Sequence, residues 1–139
     1  FRRVLFRSTT ADGLATGSGA FATIQKAVDT VCEDLHIEGA QVTIQLTSGE
    51  TYNENVVVKN YFSHNLTATQ NDVVIRGDPT SFATAANYTL NAGSGIGVLG
   101  VKVTTPWRLL GFTIKGTNST TGTCVEADFG TVIYISTSI

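Results

Sequence analysis

Bulky apolar residues alternate with other residues in four short segments of this chain. The segments are residues 42–45 (VTIQ), 73–76 (VVIR), 112–115 (FTIK) and 133–136 (IYIS). Because successive side chains of a β-strand point to opposite faces, the alternation predicts four strands whose first and third residues share an inward, apolar face. The outward positions at the strand ends are then Gln45, Arg76, Lys115 and Ser136. The segments start 31, 39 and 21 residues apart, which predicts successive rungs of a solenoid.

A segment upstream of these strands has the apolar spacing of a helix. Between residues 21 and 35, apolar side chains recur at helical intervals and polar side chains fill the other positions. We expect an amphipathic helix there, capped by Ser18 or Gly19 and ended by Gly39. Since the end of a solenoid exposes core side chains and unpaired strand edges, we expect this helix to cover that end.

Short strands separated by turn-forming residues continue along the rest of the chain. They are predicted at residues 56–58, 88–90, 96–103, 109–115, 124–127 and 132–136. An antiparallel sandwich would also contain short strands, but it favours two-residue hairpins of the Asn-Gly or Asp-Gly type. The pair Asp12-Gly13 is of this type, but it precedes the helix. Parallel coils are therefore preferred, and the sandwich is the alternative.

Composition and charge exclude several classes of function. Hydrophobic residues make up 42% of the 139 residues, which is enough for one folded domain, and only 14% of the residues are charged. The formal net charge is −2, and the basic residues form no cluster apart from three arginines near the start. We therefore expect no nucleic-acid partner. The sequence contains no run of about 18 apolar residues, so we also expect no association with a membrane.

The first residues, FRRVLFRS, differ in composition from everything that follows. The apolar segment of a complete signal peptide does not follow them. We expect residues 1–10 to be a non-native or disordered lead-in, with a native edge strand at residues 4–6 as the alternative. Since methionine is absent and the last residues form a strand-like run, we expect residues 11–139 to be the N-terminal portion of a longer domain.

Several segments together resemble a known superfamily. They are DGLATGSGAFATIQKAVDTV from residue 12, VTIQLTSGETYNENVVV from residue 42, VVIRGDP from residue 73 and TPWRLLGFTIKG from residue 105. They resemble right-handed parallel β-helices of the pectate-lyase-like superfamily, especially β-helix proteins of bacteriophage tails and prophages. The resemblance covers about residues 11–136. It implies an all-β, right-handed, single-stranded parallel β-helix with an N-terminal amphipathic capping helix.

The resemblance also implies where function would lie. The superfamily includes polysaccharide lyases, hydrolases, phage depolymerases and non-catalytic adhesins, so the fold alone does not decide the activity. It implies an extracellular or virion-associated protein whose partner is a polysaccharide or cell-surface glycan, with a homotrimer expected if the chain follows tail spikes. We expect a structural scaffold that binds surface polysaccharide. The alternative is a polysaccharide lyase or glycoside hydrolase whose catalytic residues lie mostly outside these 139 residues.

Two charged pairs are candidates for ligand binding. If Val125, Ala127 and Phe129 face inward, Glu126 and Asp128 project together, as acid/base or calcium-binding carboxylates would. Two solvated surface acids are the alternative. On two of the predicted rungs, Arg76 and Lys115 occupy equivalent outward positions and could form a basic ladder for an acidic sugar. They could equally keep the strand face soluble.

Aromatic residues and possible metal ligands complete the candidate chemistry. Tyr134 is expected to face outward beside Thr113, where its ring could pack against a sugar, whereas Trp107 is expected to pack at a coil corner. No grouping of His, Cys, Asp and Glu has metal-ligand spacing, so no metal site or cofactor is expected. Cys32 and Cys124 are expected to be free thiols.

Overall fold

The structure, a computed structural model, describes residues 2–5, 20–37, 41–63, 73–78, 84–93, 95–116 and 123–136. These residues form one α-helix, a short 3₁₀ helix and thirteen strands. The helix α1 is Ile24–Glu33, and the 3₁₀ helix is Ala85–Asn87. The strands are β1 Arg2–Leu5, β2 His36–Ile37, β3 Val42–Gln45, β4 Glu50–Asn53, β5 Val56–Val58, β6 Phe62–Ser63, β7 Val73–Arg76, β8 Tyr88–Gly93, β9 Val98–Val101, β10 Trp107–Leu110, β11 Thr113–Gly116, β12 Val125–Asp128 and β13 Ile133–Ser136.

Parallel strands pair in sheets that the chain visits repeatedly. The first sheet has the order β1-β3-β7-β10-β13, the second β4-β8-β11 and the third β5-β9-β12, while β2 and β6 form a separate pair. Every pairing between described strands is parallel. From β3 onward the chain passes through the first, second and third sheets in turn, and we call each such passage a coil. This all-β arrangement is compatible with a parallel β-helix, and none of the described pairings fits the antiparallel sandwich.

The third rung of the first sheet differs from the prediction. Strand β7 pairs with β10, and β10 pairs with β13, so Trp107–Leu110 takes the place expected for residues 112–115. The stretch predicted as one strand over residues 109–115 is divided at Gly111, whose φ of 65° suits glycine. Residues beyond Gly111 enter the second sheet as β11. The predicted column is therefore correct for β3, β7 and β13, and wrong for its third member.

Side chains of successive rungs stack in an apolar core. Along one column of the first sheet, Ile44, Ile75 and Leu109 lie in register and are at most 2% exposed. The next member of this column, Ile135, is 66% exposed because β13 is the last described strand of its sheet. Trp107 is fully buried, and its indole Nε1 donates a hydrogen bond to the carbonyl oxygen of Lys59 at 2.9 Å. The expected packing role of Trp107 is confirmed.

Helix α1 lies within the predicted segment but is shorter at both ends. Its N-cap is Thr23, whose hydroxyl accepts a hydrogen bond from the backbone N–H of Lys26, so the expectation of Ser18 or Gly19 is wrong. The helix ends at Glu33 with Asp34 as its C-cap. The expected stop signal, Gly39, lies outside the described residues. The apolar face is buried as predicted, through Ile24, Ala27, Val28 and Val31.

Helix α1 covers the edge of the third sheet. Strand β5 is the outermost strand of that sheet, and the Gln25 side chain satisfies both backbone groups of Val57 there. The Gln25 Oε1 accepts from the Val57 N–H at 2.6 Å, and the Nε2 donates to the Val57 carbonyl at 3.1 Å. Lys59 also contacts the helix through Asp29 at 2.8 Å and Glu33 at 3.1 Å. The helix thus acts as the expected cover for an otherwise unpaired strand edge.

Asparagine side chains join neighbouring coils at their corners. The Asn60 Oδ1 accepts hydrogen bonds from the backbone N–H groups of Thr104 at 2.7 Å and Thr105 at 3.2 Å, while its Nδ2 donates to the Lys102 carbonyl. At another corner, the Nδ2 of Asn55 donates to the carbonyls of the coil that follows, at Ile96 and Ala92. These amides pair backbone groups that the parallel ladders leave without partners.

The residues at the start of the chain include a strand. Arg2–Leu5 forms β1 and pairs in parallel with β3 at the edge of the first sheet, close to the edge strand proposed as the alternative for residues 4–6. A non-native origin of residues 1–10 stays a prediction. No helix within the described residues has both the length and the apolar character needed to cross a membrane.

Candidate binding groove

The outer face of the second sheet presents a stack of polar side chains. Its strands place Asn53, Asn91 and Lys115 in register on neighbouring strands. A second polar column, formed by Thr51, Thr89 and Thr113, lies two residues earlier on the same face. The intervening residues Tyr52, Leu90 and Ile114 face the core. The polar side chains of the second sheet therefore cover its outer face, and its inner face packs in the apolar core.

The short 3₁₀ helix that precedes β8 partly covers the threonine column. The Thr89 hydroxyl donates to the carbonyl of Ala86 at 3.3 Å, and the Thr113 hydroxyl donates to the carbonyl of Ala85 at 3.2 Å. These bonds take the hydroxyl hydrogens of both threonines and leave Thr89 only 5% exposed. The accessible chemistry of this face therefore lies in the asparagine column.

The two asparagines are held in a defined orientation. The Asn91 Nδ2 donates to the Asn53 Oδ1 at 2.8 Å, and the Asn91 Oδ1 accepts from the Gly93 N–H at 3.4 Å. The Asn53 Nδ2 donates to no atom within the described part of the chain. Because an amide NH₂ group carries two donor hydrogens, Asn53 can offer both of them to a ligand oxygen.

Two adjoining cavities run along this face beside β4 and β8. The larger has a volume of about 400 Å³ and extends from the N-terminus of α1 along β4; it is lined by Ala22, Thr23 and residues 50–54. The smaller has a volume of about 190 Å³ and is lined by residues 53–55 and 91–93. Both are lined by Asn53 and Glu54, and together their lining residues lie on or next to β4, β8 and the start of α1. We call the two cavities together the asparagine groove.

Glu54 joins the groove to the capping helix. One carboxylate oxygen accepts from the Ile24 N–H at 2.7 Å and the other accepts from the Gln25 N–H at 2.9 Å. Both N–H groups belong to the first turn of α1 and have no partner within the helix. Burial raises the pKa of the Glu54 carboxyl above its ordinary value, and the hydrogen bonds from Gln25 and Ile24 oppose this shift only in part. Glu54 therefore fixes the helix on the sheet and lines both cavities.

The predicted basic ladder is not formed. Arg76 lies on the first sheet opposite Leu110, whereas Lys115 lies on the second sheet opposite Asn91, so their positions are not equivalent. The Arg76 Nε donates to the Oε1 of Gln45 at 3.1 Å. Gln45 itself is only 4% exposed, because its amide donates to three backbone carbonyls at the coil corner, and its predicted outward exposure is wrong.

The other candidate residues lie on the first and third sheets. Glu126 is half-buried and Asp128 is exposed on β12, on the face that Leu99 and Val101 share on the neighbouring strand. The condition that Phe129 faces inward is not met, since Phe129 is 76% exposed. Tyr134 is exposed as expected, but it lies beside Arg108 rather than Thr113, because β13 pairs with β10. Whether any of these side chains binds a ligand stays a prediction.

The groove residues were missed by the sequence reasoning, although a signal for them exists. Residues 51–53 (TYN) and 89–91 (TLN) repeat the order threonine, apolar residue, asparagine. Their strands are adjacent and in register, so the repeat marks equivalent outward positions of successive coils. The contribution of Glu54 has no comparable signal, since it depends on how α1 docks against the sheet.

No metal centre is formed by the described residues, where no group of three or more His, Cys, Asp or Glu side chains is arranged to hold an ion. Cys32 and Cys124 are free, as predicted. Comparisons with protein-family models, with curated proteins and with solved structures found no match for this chain. A function is therefore inferred from the geometry of the groove.

Proposed function

We propose that this chain is the N-terminal portion of a right-handed, single-stranded parallel β-helix that serves as a scaffold for binding surface polysaccharide. The proposal includes membership of the pectate-lyase-like superfamily and an extracellular or virion-associated location, as in phage tails. Support for the architecture comes from the three parallel sheets that the chain visits in turn and from the helix that covers one end of the stack. Support for the ligand comes from the chemistry of the asparagine groove.

The observation that carries the proposal is the polar groove beside Asn53 and Asn91. The hydroxyl groups of a sugar ring both donate and accept hydrogen bonds. The two N–H groups of the Asn53 Nδ2 can therefore donate to sugar hydroxyl oxygens. The two cavities are lined by residues of two neighbouring strands, β4 and β8, so a ligand that contacts both would span successive coils. A groove of this kind needs little rearrangement on binding, since the asparagines are fixed by their mutual hydrogen bond.

A single groove should bind weakly. Each hydrogen bond exchanged with water contributes about 0.5–1.5 kcal/mol, so a few such bonds give a dissociation constant in about the millimolar range. A homotrimer, as expected if the chain follows tail spikes, would present three grooves to one polysaccharide surface. The effective concentration of the second and third sites would then raise the overall avidity by a factor of about 100 or more.

The proposal is tested by measuring binding to a panel of bacterial surface polysaccharides and pectins. The variants Asn53→Ala and Asn91→Ala, alone and combined, should weaken binding, because they remove the ordered amides. The matched control is Asn87→Ala, which removes an exposed amide that does not line either cavity. Binding of a glycan that the double variant leaves unchanged would contradict the proposal, as would the lack of binding to any glycan in the panel.

A second candidate function is cleavage of a polysaccharide by a lyase or glycoside hydrolase. Glu50 and Glu54 line the same cavity, and a carboxyl with a raised pKa is what a general acid requires. Against this, both Glu54 oxygens already accept hydrogen bonds from α1. Release of new reducing or unsaturated ends by the wild-type protein, lost in Glu50→Gln and Glu54→Gln, would favour the enzyme. Glycan binding without any release of ends would favour the scaffold.

A further inference from the structure

The first sheet is closed at its outer edge by a strand from the start of the chain. Strand β1 is the outermost strand of this sheet, and it pairs in parallel with β3 over four residues, with Val4 opposite Ile44. The main contacts of β1 with other described elements are those with β3. Residues 6–23 separate β1 from α1 and from the coils that follow. We call β1 the arm, and the outer side of β3 the acceptor edge.

The pairing of β3 with β7 determines which backbone groups of β3 face the arm. The N–H of Leu46 donates to the carbonyl of Arg76 at 2.8 Å, so the backbone groups of Leu46 and Ile44 point toward β7. Because the backbone groups of successive residues in a strand point to opposite sides, those of Thr43 and Gln45 point toward the arm. The acceptor edge therefore consists of the N–H and C=O groups of Thr43 and Gln45.

The acceptor edge needs a partner strand. Thr43 and Gln45 are only 1% and 4% exposed, so their outward backbone groups require partners from the protein. In the parallel register, the N–H of Val4 meets the carbonyl of Thr43, and the carbonyl of Val4 meets the N–H of Gln45. The N–H of Arg3 points away from β3. The arm is therefore bound at this edge through backbone groups, which the same strand of another copy can supply in the same register.

The edges of the third and first sheets are closed by different kinds of element. At the third sheet, side-chain bonds hold α1 in place, through Gln25 and through the Glu54 carboxylate at the first turn of the helix. Replacing the helix by a strand would lose these bonds. At the acceptor edge, an incoming strand of the same sequence would restore every backbone bond that the arm gives up. Exchange of one partner for another therefore conserves hydrogen bonds at β3 and loses them at β5.

We propose that the acceptor edge is a strand-docking site that the arm occupies within its own chain, and that the arm of a second copy occupies by exchange. The fully extended length of residues 6–23 is about 60 Å, so the arm can reach the β3 of a neighbouring copy as well as its own. A tethered segment has an effective concentration in about the millimolar range, so the arm blocks the site in dilute solution and exchanges where copies are concentrated. The pairing belongs to this chain whatever the origin of residues 1–10, and it does not depend on polysaccharide binding.

The test uses a labelled peptide with the sequence of residues 1–10, FRRVLFRSTT, and the full 139-residue chain. Val4→Pro removes the N–H that meets the Thr43 carbonyl, so it should release the arm and open the site to the peptide. Arg3→Pro is the matched control, because it removes an N–H that points away from β3. The Val4→Pro chain should bind the peptide about tenfold more tightly than the wild-type and Arg3→Pro chains, whose own arms compete. Equal affinity of the three chains for the peptide would overturn the inference.

Amide hydrogen exchange tests whether the change is confined to the acceptor edge. In Val4→Pro, the N–H groups of Thr43 and Gln45 should exchange faster, whereas those of Ile44 and Leu46, which point toward β7, should stay protected. Added peptide should restore slow exchange at Thr43 and Gln45. The same acceleration in Arg3→Pro would contradict the assigned direction of these groups.

The wild-type chain provides a test that does not depend on the folding of a variant. Peptide at several millimolar exceeds the effective concentration of the tethered arm, so it should shift the amide resonances of Thr43 and Gln45. The same peptide N-methylated at Val4 should leave these resonances unchanged, because it lacks the N–H that pairs with Thr43. Wild-type protein concentrated to about 2 mM and then diluted should contain a dimer that Val4→Pro does not form. The absence of a shift would overturn the docking site, and a monomer at every concentration would overturn the exchange between copies.

Discussion

The hydrogen bonds of Asn60 predict that one side chain at a coil corner makes a large contribution to stability. In Asn60→Ala, the backbone N–H groups of Thr104 and Thr105 lose their acceptor and the Lys102 carbonyl loses its donor. Thr105 is 8% exposed, so water replaces these bonds only in part. At about 0.5–1.5 kcal/mol for each of three bonds, the expected loss is about 2–3 kcal/mol. This corresponds to a decrease of about 10 °C in melting temperature for a domain of this size.

Two further variants make this prediction specific. Asn60→Asp keeps the accepting oxygen but replaces the amide donor by a second oxygen facing the Lys102 carbonyl, so it should lose about half as much. Asn53→Ala removes an asparagine whose hydrogen bond to Asn91 is exposed, and it should cost no more than about 0.5 kcal/mol. Urea unfolding followed by circular dichroism measures all three. If Asn60→Ala and Asn53→Ala lost equal amounts of stability, the reasoning about corner amides would be refuted.

Three other predictions concern the core, a thiol and the capping helix. Trp107→Phe should lower the free energy of unfolding by about 2–4 kcal/mol in urea titrations, because it opens a cavity and removes the donor to the Lys59 carbonyl. A change below about 1 kcal/mol would contradict the packing described. Burial raises the pKa of the Cys32 thiol to about 11. Alkylation of Cys32 by iodoacetamide at pH 8 should therefore be slow in the native state and faster in urea. Equal rates in the two states would show that the thiol is accessible. Gln25→Ala should lower the free energy of unfolding by about 1–2 kcal/mol and increase aggregation in light scattering, because it leaves both backbone groups of Val57 unpaired. Gln25→Glu keeps only the acceptor, so it should change stability and aggregation less.

The local period of apolar residues was sufficient to predict the helix and most strands, and the recurring pattern without hairpin pairs between the strands favoured parallel stacking. The prediction was wrong at residues 107–116, where two neighbouring segments both have the apolar spacing of a strand of the first sheet. Residues 112–115 match the pattern of the other rungs better than Trp107–Leu110, whose last residue is apolar. The position of Gly111 decides which segment pairs with β7. The N–H of Asp78, at the corner that follows β7, donates to the Gly111 carbonyl, so the strand that ends before Gly111 is the one beside β7. Comparing the glycines after each strand would have aligned the rungs correctly.

The candidate site was less predictable, because outward side chains do not all face solvent. Gln45 was expected on the surface, yet it is buried by its bonds to corner carbonyls. The hydrogen bonds of Glu54 depend on the docking of α1, which lies about thirty residues away in the sequence. Phe129 would face inward only if its alternation with Val125 continued, but the strand ends at Asp128 and the chain turns at the corner. Periodicity predicts the direction of a side chain only while the strand continues.

The two hydrogen bonds between Gln25 and Val57 also limit how copies of this protein can associate. A strand from another molecule could extend the third sheet at β5 only by displacing this side chain, which already occupies the N–H and the carbonyl it would need. Growth by strand addition is therefore blocked at this edge of the third sheet, where the outward backbone groups of Val57 are already paired. Fibres formed under stress should consequently not elongate at β5 unless the Gln25 side chain is first displaced.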